Sequence, residues 1–487
     1  MTFDNLIDVV RDYNPEEEKI ITTAYEYAEH MHKGQYRESG EPYIVHPLNV
    51  AYSLAKSYAD KASVCTALLH DTMEDTKASK EEIAHLFDAE IANLVDSLTK
   101  IPKEKIESKK DRTCANVRRF SGKTVLDVRT PIIKLFDNLD NMRTLEFKKG
   151  KEKQFDCAME SQRVYVPIAK RLGAYNVKNE LEDLSFRYID PDMYKRIQSI
   201  REKAVIDSAS VLEEMKKVIS SRLEGSGFNF DVTARVKNIY GIYDQLRLHP
   251  DFKVSDIHDL LSLKIILGNN ENPGDVNDCF RALSDVHSQY NYINSYFKDY
   301  IHCAKDNGYQ SLHTTLFSGT DWLVQTQIRT WYMDMIASHG LMAYWYLKRE
   351  MGTSEMLKVF KEKIPLCSEL GQLLSNSEND GEFYNQFLSE VSANHIHIYF
   401  GEVGKRMEIP SGYTVTDIGY MQGEEFGNMM VGATVNGKSV PFDYQLQTND
   451  RLIIKTDPLA YGSNVKLLDK CYSIKTKKLI MKSLGKK

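Results

Sequence analysis

Apolar residues recur three and four positions apart through the first part of the chain, which is the period of an amphipathic helix. A longer stretch of the same period covers residues 191–223 and ends at Gly225-Ser226-Gly227, which indicates a connector helix that stops at glycine. Pro15 before three glutamates favours a helix start. The shorter helical segments are residues 45–58, 62–72, 80–99, 112–122 and 156–171. We therefore predict an almost wholly helical N-terminal part.

The pattern changes to short β-rich runs after residue 227. FNFDVTARV, LLSLKIIL, TTLFSG and WLVQTQI alternate with helical segments at 274–288 and 331–348, which predicts an α+β domain. Residues 370–382 are polar and are predicted to be a linker. Strand signals return from Ile396, with a turn at Asn436-Gly437, and predict a small separate β-rich domain.

Composition limits the class of protein. A chain of 487 residues favours about three domains, and 42% hydrophobic with 27% charged residues is typical of a water-soluble protein. The net charge of −6 gives no reason to expect DNA as a partner. The cysteines form no CxxC pair, and no N-terminal signal or membrane-length apolar run is present, so we expect cytoplasmic residence without membrane contact. The lysine-rich stretch from Lys466 is expected to be solvated, with RNA or ribosome contact as the alternative.

Four residues are candidate metal ligands: His46, the adjacent pair His70 and Asp71, and Asp137. Imidazole and carboxylate together suit Mn²⁺, Fe²⁺ or Zn²⁺. The alternative is structural, because an isolated His-Asp step is usually a surface or capping pair, and His46 before Pro47 is compatible with a helix start.

Further polar residues accompany these candidates. Glu74 and Asp75 lie three and four positions after Asp71, on the same face of a helix. Arg37 and Ser39 lie in a turn-rich stretch before His46 and suit a phosphate or a base. Metal ligands with neighbouring acid/base groups are what metal-assisted phosphate hydrolysis requires.

Several long motifs resemble the RelA/SpoT (long Rel) family of alarmone enzymes. GQYRESGEPYIVHP, ALLHDTMEDT, KLFDNLDNMRTL and RLGAYNVKNELEDLSFRYIDP resemble its HD-type hydrolase domain. ARVKNIYGIY, DLLSLKII, FKDYIHCAKDNGYQSLHTT and QTQIRT resemble its synthetase domain, and GYTVTDIGY, VGATVNGKSVPFDYQL and NDRLIIKT its TGS domain.

The resemblance implies a multidomain α and α+β fold. An all-α HD-type hydrolase domain is expected over residues 1–195, and a linker helix with an α+β, nucleotidyltransferase-like synthetase domain over 196–369. A small β-grasp TGS domain is expected over 390–457, followed by a basic tail over 458–487. A contact with the ribosome or a regulatory protein through the TGS domain is left open.

For the first domain, the resemblance implies that His46, His70, Asp71 and Asp137 hold Mn²⁺ and that (p)ppGpp loses its 3′ pyrophosphate there. Glu74 and Asp75 would orient the metal-bound water or manage its proton. The matched substrate-binding positions, which contact the guanine nucleotide or line its pocket, are Arg37, Ser39, Asn141 and Thr144.

One stretch of this domain departs from the family pattern. The usual RLHN after the ligand aspartate is here Asn138-Leu139-Asp140-Asn141. Asp140 adds negative charge beside the site, which would either tighten metal binding or weaken the pyrophosphate contact. The ligand set is whole, so we predict an active hydrolase.

The synthetase-like site departs further. Asp259 matches the family's Mg²⁺-binding aspartate, but Gln325 replaces the glutamate of the ExQIRT motif. Glutamine has neither the charge to balance Mg²⁺ nor the basicity to accept a proton, so bound Mg²⁺ is doubtful and a synthesis defect is predicted. Asn238, Gly241 and Lys264 replace His, Ser and Arg of the pattern.

Nucleotide-binding positions of the synthetase-like site are nevertheless retained, and they are Arg235, Lys237, Lys305 and Tyr309. The favoured function is therefore a (p)ppGpp hydrolase with an inactive synthetase domain. The alternatives are a bifunctional synthetase/hydrolase and a non-catalytic regulator that binds the alarmone.

Overall fold

The computed structural model describes residues 2–101, 106, 108–248, 254–269, 271–305, 307–347, 355, 358–359, 365–391, 395–460 and 465–484. The chain forms two compact units, one of residues 1–102 and 120–368 and the other of residues 103–119 and 369–487.

The N-terminal part is helical, as the apolar period predicts. Side-chain caps begin several of its helices: Asp60, Ser79 and Asp88 each accept a hydrogen bond from a backbone N–H of the first turn. The helices are α1 (Phe3–Tyr13), α2 (Glu18–Met31), α3 (Val45–Ala55), α4 (Lys61–Leu69), α5 (Thr72–Asp75), α6 (Lys80–Leu86), α7 (Ala89–Leu98), α8 (Lys109–Leu126), α9 (Arg129–Arg143), α10 (Lys151–Glu160), α11 (Val166–Arg171) and α12 (Tyr175–Ile189).

Two buried helices form the centre of this domain. Every residue of α4 from Ala62 to Leu69 is buried, and α9 is buried from Arg129 through Asp137. A helix that is apolar on all sides is stable only when neighbours cover every face. Helix α3 packs against both α4 and α9, so the candidate ligands on these three helices are brought to one place.

A long helix, α13 (Pro191–Gly225), leads into the α+β domain. The sheet has the order β1-β2-β5-β4-β3, in which only the β2–β5 pair is parallel. Alternate residues of β2 are fully buried and form the core with Ile219 and Leu223 of α13. The elements are β1 (Phe230–Val236), α14 (Ile239–Leu248), β2 (Leu261–Leu267), α15 (Val276–Gln289), β3 (Lys298–Asp299), β4 (Leu312–Phe317), β5 (Leu323–Thr330), α16 (Trp331–His339) and α17 (Ala343–Leu347).

The C-terminal part contains a second sheet, of order β7-β6-β10-β8-β9, with β6 and β10 parallel. Asn436 and Gly437 both have positive φ, 52° and 80°, and form the predicted turn between β8 and β9. The elements are α18 (Pro365–Asn376), α19 (Asp380–Glu390), β6 (His395–Phe400), β7 (Lys405–Pro410), α20 (Val415–Met421), α21 (Glu424–Asn428), β8 (Met430–Val435), β9 (Lys438–Val440), β10 (Arg451–Thr456) and α22 (Ile474–Ser483).

The predicted fold class is confirmed: a helical domain, an α+β domain and a small β-grasp-like domain. The prediction of a linker at 370–382 is wrong. Helices α18 and α19 cover most of it, because Leu370, Leu373, Phe383 and Phe387 have helical spacing and are buried.

The predicted basic tail also contains ordered structure. Ile480 of α22 is buried with Leu467 and Cys471 against Tyr420 and Met430, so the fold continues past residue 457. The many lysines in this segment made the apolar spacing of α22 hard to recognise in the sequence. Within the described ranges, no helix is both long and apolar enough to cross a lipid bilayer.

Candidate metal centre

Three helix ends and one helix interior supply the four candidate ligands. His46 is the second residue of α3, His70 follows the last residue of α4, and Asp71 precedes the first residue of α5. Asp137 lies in the middle of α9. All four candidate residues therefore lie within helices or directly at their ends, on α3, α4, α5 and α9.

The ligand atoms converge. Nε2 of His46 lies 3.2 Å from Oδ1 of Asp137, and Nε2 of His70 lies 3.2 Å from Oδ2 of Asp71. The crossed pairs, His46 with Asp71 and His70 with Asp137, are both 3.8 Å apart. His46, His70 and Asp137 each offer one ligand atom, and these atoms all lie within 4.8 Å of one another. This buried cluster could hold a metal ion.

The orientation of both histidines fits a metal. Nδ1 of His46 is 2.6 Å from Oδ2 of Asp140, and Nδ1 of His70 is 2.8 Å from the carbonyl oxygen of Ala67. Each acceptor fixes a ring so that Nε2 points into the cluster. Among the described residues, the buried Nε2 of His70 has no hydrogen-bond partner. Oδ2 of Asp71 lies 3.2 Å from this nitrogen without forming a hydrogen bond, and a metal ion bound between them would satisfy both atoms.

Electrostatics keep the aspartates charged. Burial opposes ionisation of Asp137, but Lys134 and the two histidines hold its pKa well below the ordinary value. Nζ of Lys134 is 2.5 Å from Oδ2 of Asp137, and Nδ2 of Asn141 donates to Oδ1 at 2.6 Å. Burial also lowers the pKa of His70, yet Asp71 and Asp137 outweigh it and raise that pKa to about 9.

Tyr43 connects two of the carboxylates. Its hydroxyl lies 2.8 Å from Oδ2 of Asp71 and 2.8 Å from Oδ2 of Asp75. Burial and these two charges raise the pKa of Tyr43, so the hydroxyl stays protonated and donates. Asp75 is exposed but reaches the cluster through this phenol. Glu74, also exposed, accepts a hydrogen bond from the backbone N–H of Lys100 at 3.2 Å.

Arg37 is joined to the cluster from a different side. Its Nη2 donates to Oδ1 of Asn141 at 2.7 Å, and its guanidinium carbon lies 5.9 Å from the ring centroid of Tyr43. Nη1 of Arg37 is 4.0 Å from Oδ2 of Asp140. Two of the predicted nucleotide-binding residues, Arg37 and Asn141, thus lie together beside the ligands.

The other two predicted nucleotide-binding residues make local contacts. The Ser39 hydroxyl donates to Glu41 at 3.2 Å within the same turn. The Thr144 hydroxyl donates to the carbonyl oxygen of Asp140 at 3.0 Å, one turn back at the end of α9.

Three residues of the centre were not among the predicted site residues: Tyr43, Lys134 and Asp140. Lys134 had a usable signal, since it is a lone charge in the apolar stretch PIIKLF, three positions before Asp137. In the sequence, Asp140 stands out only because it departs from the family pattern. Nothing in the sequence indicated the bridging contact of Tyr43.

In the synthetase-like domain the predicted acidic site is altered. Lys237 forms an ion pair with Oδ2 of Asp259. The Gln325 side chain is buried in β5 and accepts a hydrogen bond from the Gln327 amide at 2.9 Å. A lysine therefore already balances the carboxylate, and Gln325 contributes only a neutral amide.

Cations and rings of the same domain surround Tyr309. Nζ of Lys305 is 5.1 Å and the guanidinium carbon of Arg329 5.7 Å from its ring centroid. The Tyr309 hydroxyl lies 2.8 Å from Nε2 of His313. Burial and the charge of Arg329 lower the pKa of Arg235 in β1. This half of the site retains positive charge and an aromatic face.

Two of the other substitutions in this domain contact each other, and the third forms an ion pair. A Cβ added at Gly241 would lie 2.6 Å from Oδ1 of Asn238, whose amide donates to Asp183 at 3.0 Å. Lys264 pairs with Asp334 at 3.2 Å, and Arg329 pairs with the same carboxylate at 3.1 Å.

Three family models match the chain one after another. A family model for the HD domain matches residues 24–175, one described as a region found in RelA/SpoT proteins matches residues 234–352, and one for the TGS domain matches residues 396–456.

Relatives align over nearly the whole chain. A GTP pyrophosphokinase of Myxococcus xanthus is 35% identical over 93% of the chain and 59% of its own length. A guanosine-3′,5′-bis(diphosphate) 3′-pyrophosphohydrolase of Aquifex aeolicus is 35% identical over 93% of the chain and 63% of its own length. The bifunctional (p)ppGpp synthase/hydrolase SpoT of Escherichia coli is 33% identical over 94% and 64%. The chain thus spans less than two thirds of the length of these relatives.

Proposed function

Because the chain belongs to the RelA/SpoT family, we propose that its helical domain is a Mn²⁺-dependent hydrolase that removes the 3′ pyrophosphate of (p)ppGpp and returns GDP or GTP. The observation that carries the proposal is the convergence of Nε2 of His46 and His70 with Oδ1 of Asp137 in a buried cluster. The names of the relatives from Aquifex aeolicus and Escherichia coli support the same substrate.

In this proposal His46, His70, Asp71 and Asp137 hold the metal. When bound, Mn²⁺ lowers the pKa of a coordinated water and polarises the 3′ phosphate. Asp75 or Glu74 would orient that water or accept its proton, and the Tyr43 hydroxyl, which contacts both Asp71 and Asp75, would keep Asp75 in place.

The nucleotide is bound beside the metal. Arg37 is the group proposed to stack on the guanine, because a guanidinium is planar and its Asn141 contact fixes its plane. Ser39 and Thr144 line the same pocket in this proposal. Lys134 neutralises Asp137 and lowers the net negative charge that an incoming pyrophosphate would meet.

We propose that the synthetase-like domain does not transfer pyrophosphate. Two groups that the reaction needs are compromised, since Asp259 is paired with Lys237 and Gln325 cannot act as a base. The retained cations and Tyr309 suit a nucleotide that binds without turnover.

Particular observations favour two alternative functions. A bifunctional enzyme is favoured by the names of the relatives from Myxococcus xanthus and Escherichia coli, and by Oδ1 of Asp259, which has no hydrogen-bond partner among the described residues. A non-catalytic alarmone-binding regulator is favoured by the positive charge around Tyr309. Contact with ribosomes through the TGS domain is a separate proposal, which co-sedimentation with purified ribosomes tests.

The test is release of pyrophosphate from ppGpp by the full chain with Mn²⁺. Asp71→Asn removes one proposed ligand charge and is expected to reduce the rate at least about 100-fold. The matched control is Asp207→Asn, an exposed residue of α13, which should retain the wild-type rate. Wild-type protein that binds ppGpp without releasing pyrophosphate would support the regulator. Formation of ppGpp from ATP, GDP and Mg²⁺ would support the bifunctional enzyme.

A further inference from the structure

The two histidines of the metal centre are oriented by different means. His70 is held by the carbonyl oxygen of Ala67, which belongs to its own helix and needs no particular side chain. His46 is held by the carboxylate of Asp140, which lies 94 positions away on α9. Only the second arrangement depends on the identity of a side chain.

The contact between His46 and Asp140 is short and protected from water. Nδ1 of His46 and Oδ2 of Asp140 are 2.6 Å apart, and both side chains are at most 7% exposed. A carboxylate that accepts from one ring nitrogen fixes the tautomer and increases the basicity of the other nitrogen. That other nitrogen, Nε2, is the atom that lies 3.2 Å from Asp137.

Asp140 also faces the proposed nucleotide-binding arginine. Its Oδ2 is 4.0 Å from Nη1 of Arg37, while Asn141 next to it joins Arg37 to Asp137. Asp140 therefore lies between a metal ligand and a group that would contact substrate.

We propose that Asp140 is a positioning residue of the metal centre, because its carboxylate fixes the His46 ring for metal binding. The family pattern has a histidine at this position. The inference rests on the proposed function only in taking the cluster to be a metal site. A positioning role for Asp140 corresponds to tighter metal binding and not to a weaker pyrophosphate contact.

The test is the affinity of substrate-free protein for Mn²⁺, measured from the electron paramagnetic resonance signal of free Mn²⁺. Asp140→Asn preserves the shape and an acceptor oxygen but removes the charge, and we expect its dissociation constant to rise about 10- to 100-fold. Asp140→Ala should weaken binding at least as much, whereas Asp140→Glu, which keeps the carboxylate, should recover part of the affinity. Asp207→Asn is the matched control and should bind like wild type.

A positioning role for Asp140 also predicts how turnover depends on the Mn²⁺ concentration. If Asp140 acts through His46, most of the turnover of Asp140→Asn should return when Mn²⁺ is raised well above its new dissociation constant. Dissociation constants of the Asn and Ala variants within twofold of wild type would overturn the inference. Tight Mn²⁺ binding by wild type without ppGpp hydrolysis would contradict the proposed function and leave the role of Asp140 standing.

Discussion

At the scale of single residues, the candidate metal centre contains buried acidic and basic side chains that shift one another's pKa values. The pKa of His70 is raised to about 9 because Asp71 and Asp137 outweigh the effect of burial. We therefore expect metal-free protein to carry a second proton on this ring at neutral pH, at Nε2, the nitrogen that a metal would need.

A pH dependence of metal binding follows. A ligand histidine must lose its proton, so below pH 9 each Mn²⁺ bound should expel one proton from His70. The affinity for Mn²⁺ should rise about tenfold per pH unit between pH 6 and 8. Calorimetric titration in buffers of different ionisation enthalpy measures both the affinity and the proton release. An affinity that is flat across this range, with no proton release, would show that the cluster does not protonate as described.

Tyr43 gives a second test at this scale. Tyr43→Phe removes the hydroxyl that joins Asp71 to Asp75 and leaves the ring beside Arg37. Asp75 would then lose its orientation, and kcat should fall about tenfold, which corresponds to ~1.4 kcal/mol of lost orientation. Steady-state kinetics at saturating Mn²⁺ measure this, with Tyr52→Phe on α3 as the control. A wild-type kcat for Tyr43→Phe would remove Asp75 from the proposed proton pathway.

At the scale of elements, helix α9 carries the centre. Lys134, Asp137, Asp140 and Asn141 lie three, three and one positions apart and face one cluster. The start of the helix is anchored by Arg129, which is almost fully buried and pairs with Asp60, Glu90 and Asp127. Asp60 also caps α4, so this one guanidinium connects the two buried helices that present ligands.

Removal of Arg129 should therefore loosen the domain. Arg129→Ala leaves three carboxylates without their cation, and these are 18 to 42% exposed. Their partial hydration limits the loss of unfolding free energy to about 2–3 kcal/mol, below the ~3–5 kcal/mol of a fully buried pair. Urea denaturation measures it. Arg247→Ala, in an exposed pair with Asp244, should cost under about 1 kcal/mol, and equal effects of the two variants would contradict the anchoring role.

The predicted helical segments did not include α9 (Arg129–Arg143), and the sequence did not predict its contacts either. The residue types and the family resemblance predicted His46, His70, Asp71 and Asp137 as one set, and the structure brings them together. The hydrogen bond between His46 and Asp140 joins residues 94 positions apart, and no local pattern encodes such a pair. Helix α22 was missed for a different reason, since its lysines masked an apolar stripe on a short helix.

At the scale of the whole molecule, the helical domain and the synthetase-like domain differ in the acidic groups that they retain. The helical domain has a buried His-His-Asp cluster that could hold a metal ion, whereas the synthetase-like domain has Gln325 and an Asp259 that is already paired. Two of its other substitutions are in contact, because a larger residue at Gly241 would collide with the present position of the Asn238 side chain.

One substitution should therefore fail to restore synthesis. Gln325→Glu returns a carboxylate but leaves the Lys237–Asp259 pair and the Gly241–Asn238 packing unchanged. No ppGpp is expected from ATP, GDP and Mg²⁺ with either wild type or this variant, when products are separated by anion-exchange chromatography. Synthesis by wild type would refute the proposed loss of activity, and synthesis by Gln325→Glu alone would show that the other substitutions are tolerated.

We propose that the buried cluster on α3, α4 and α9 directs hydrolysis to the 3′ end of the alarmone. The most direct measurement is product analysis after ppGpp is incubated with the full chain and Mn²⁺, with and without EDTA. We predict GDP and pyrophosphate in equal amounts, and neither product when EDTA is present. Unchanged ppGpp, or release of phosphate from the 5′ end, would contradict the claim.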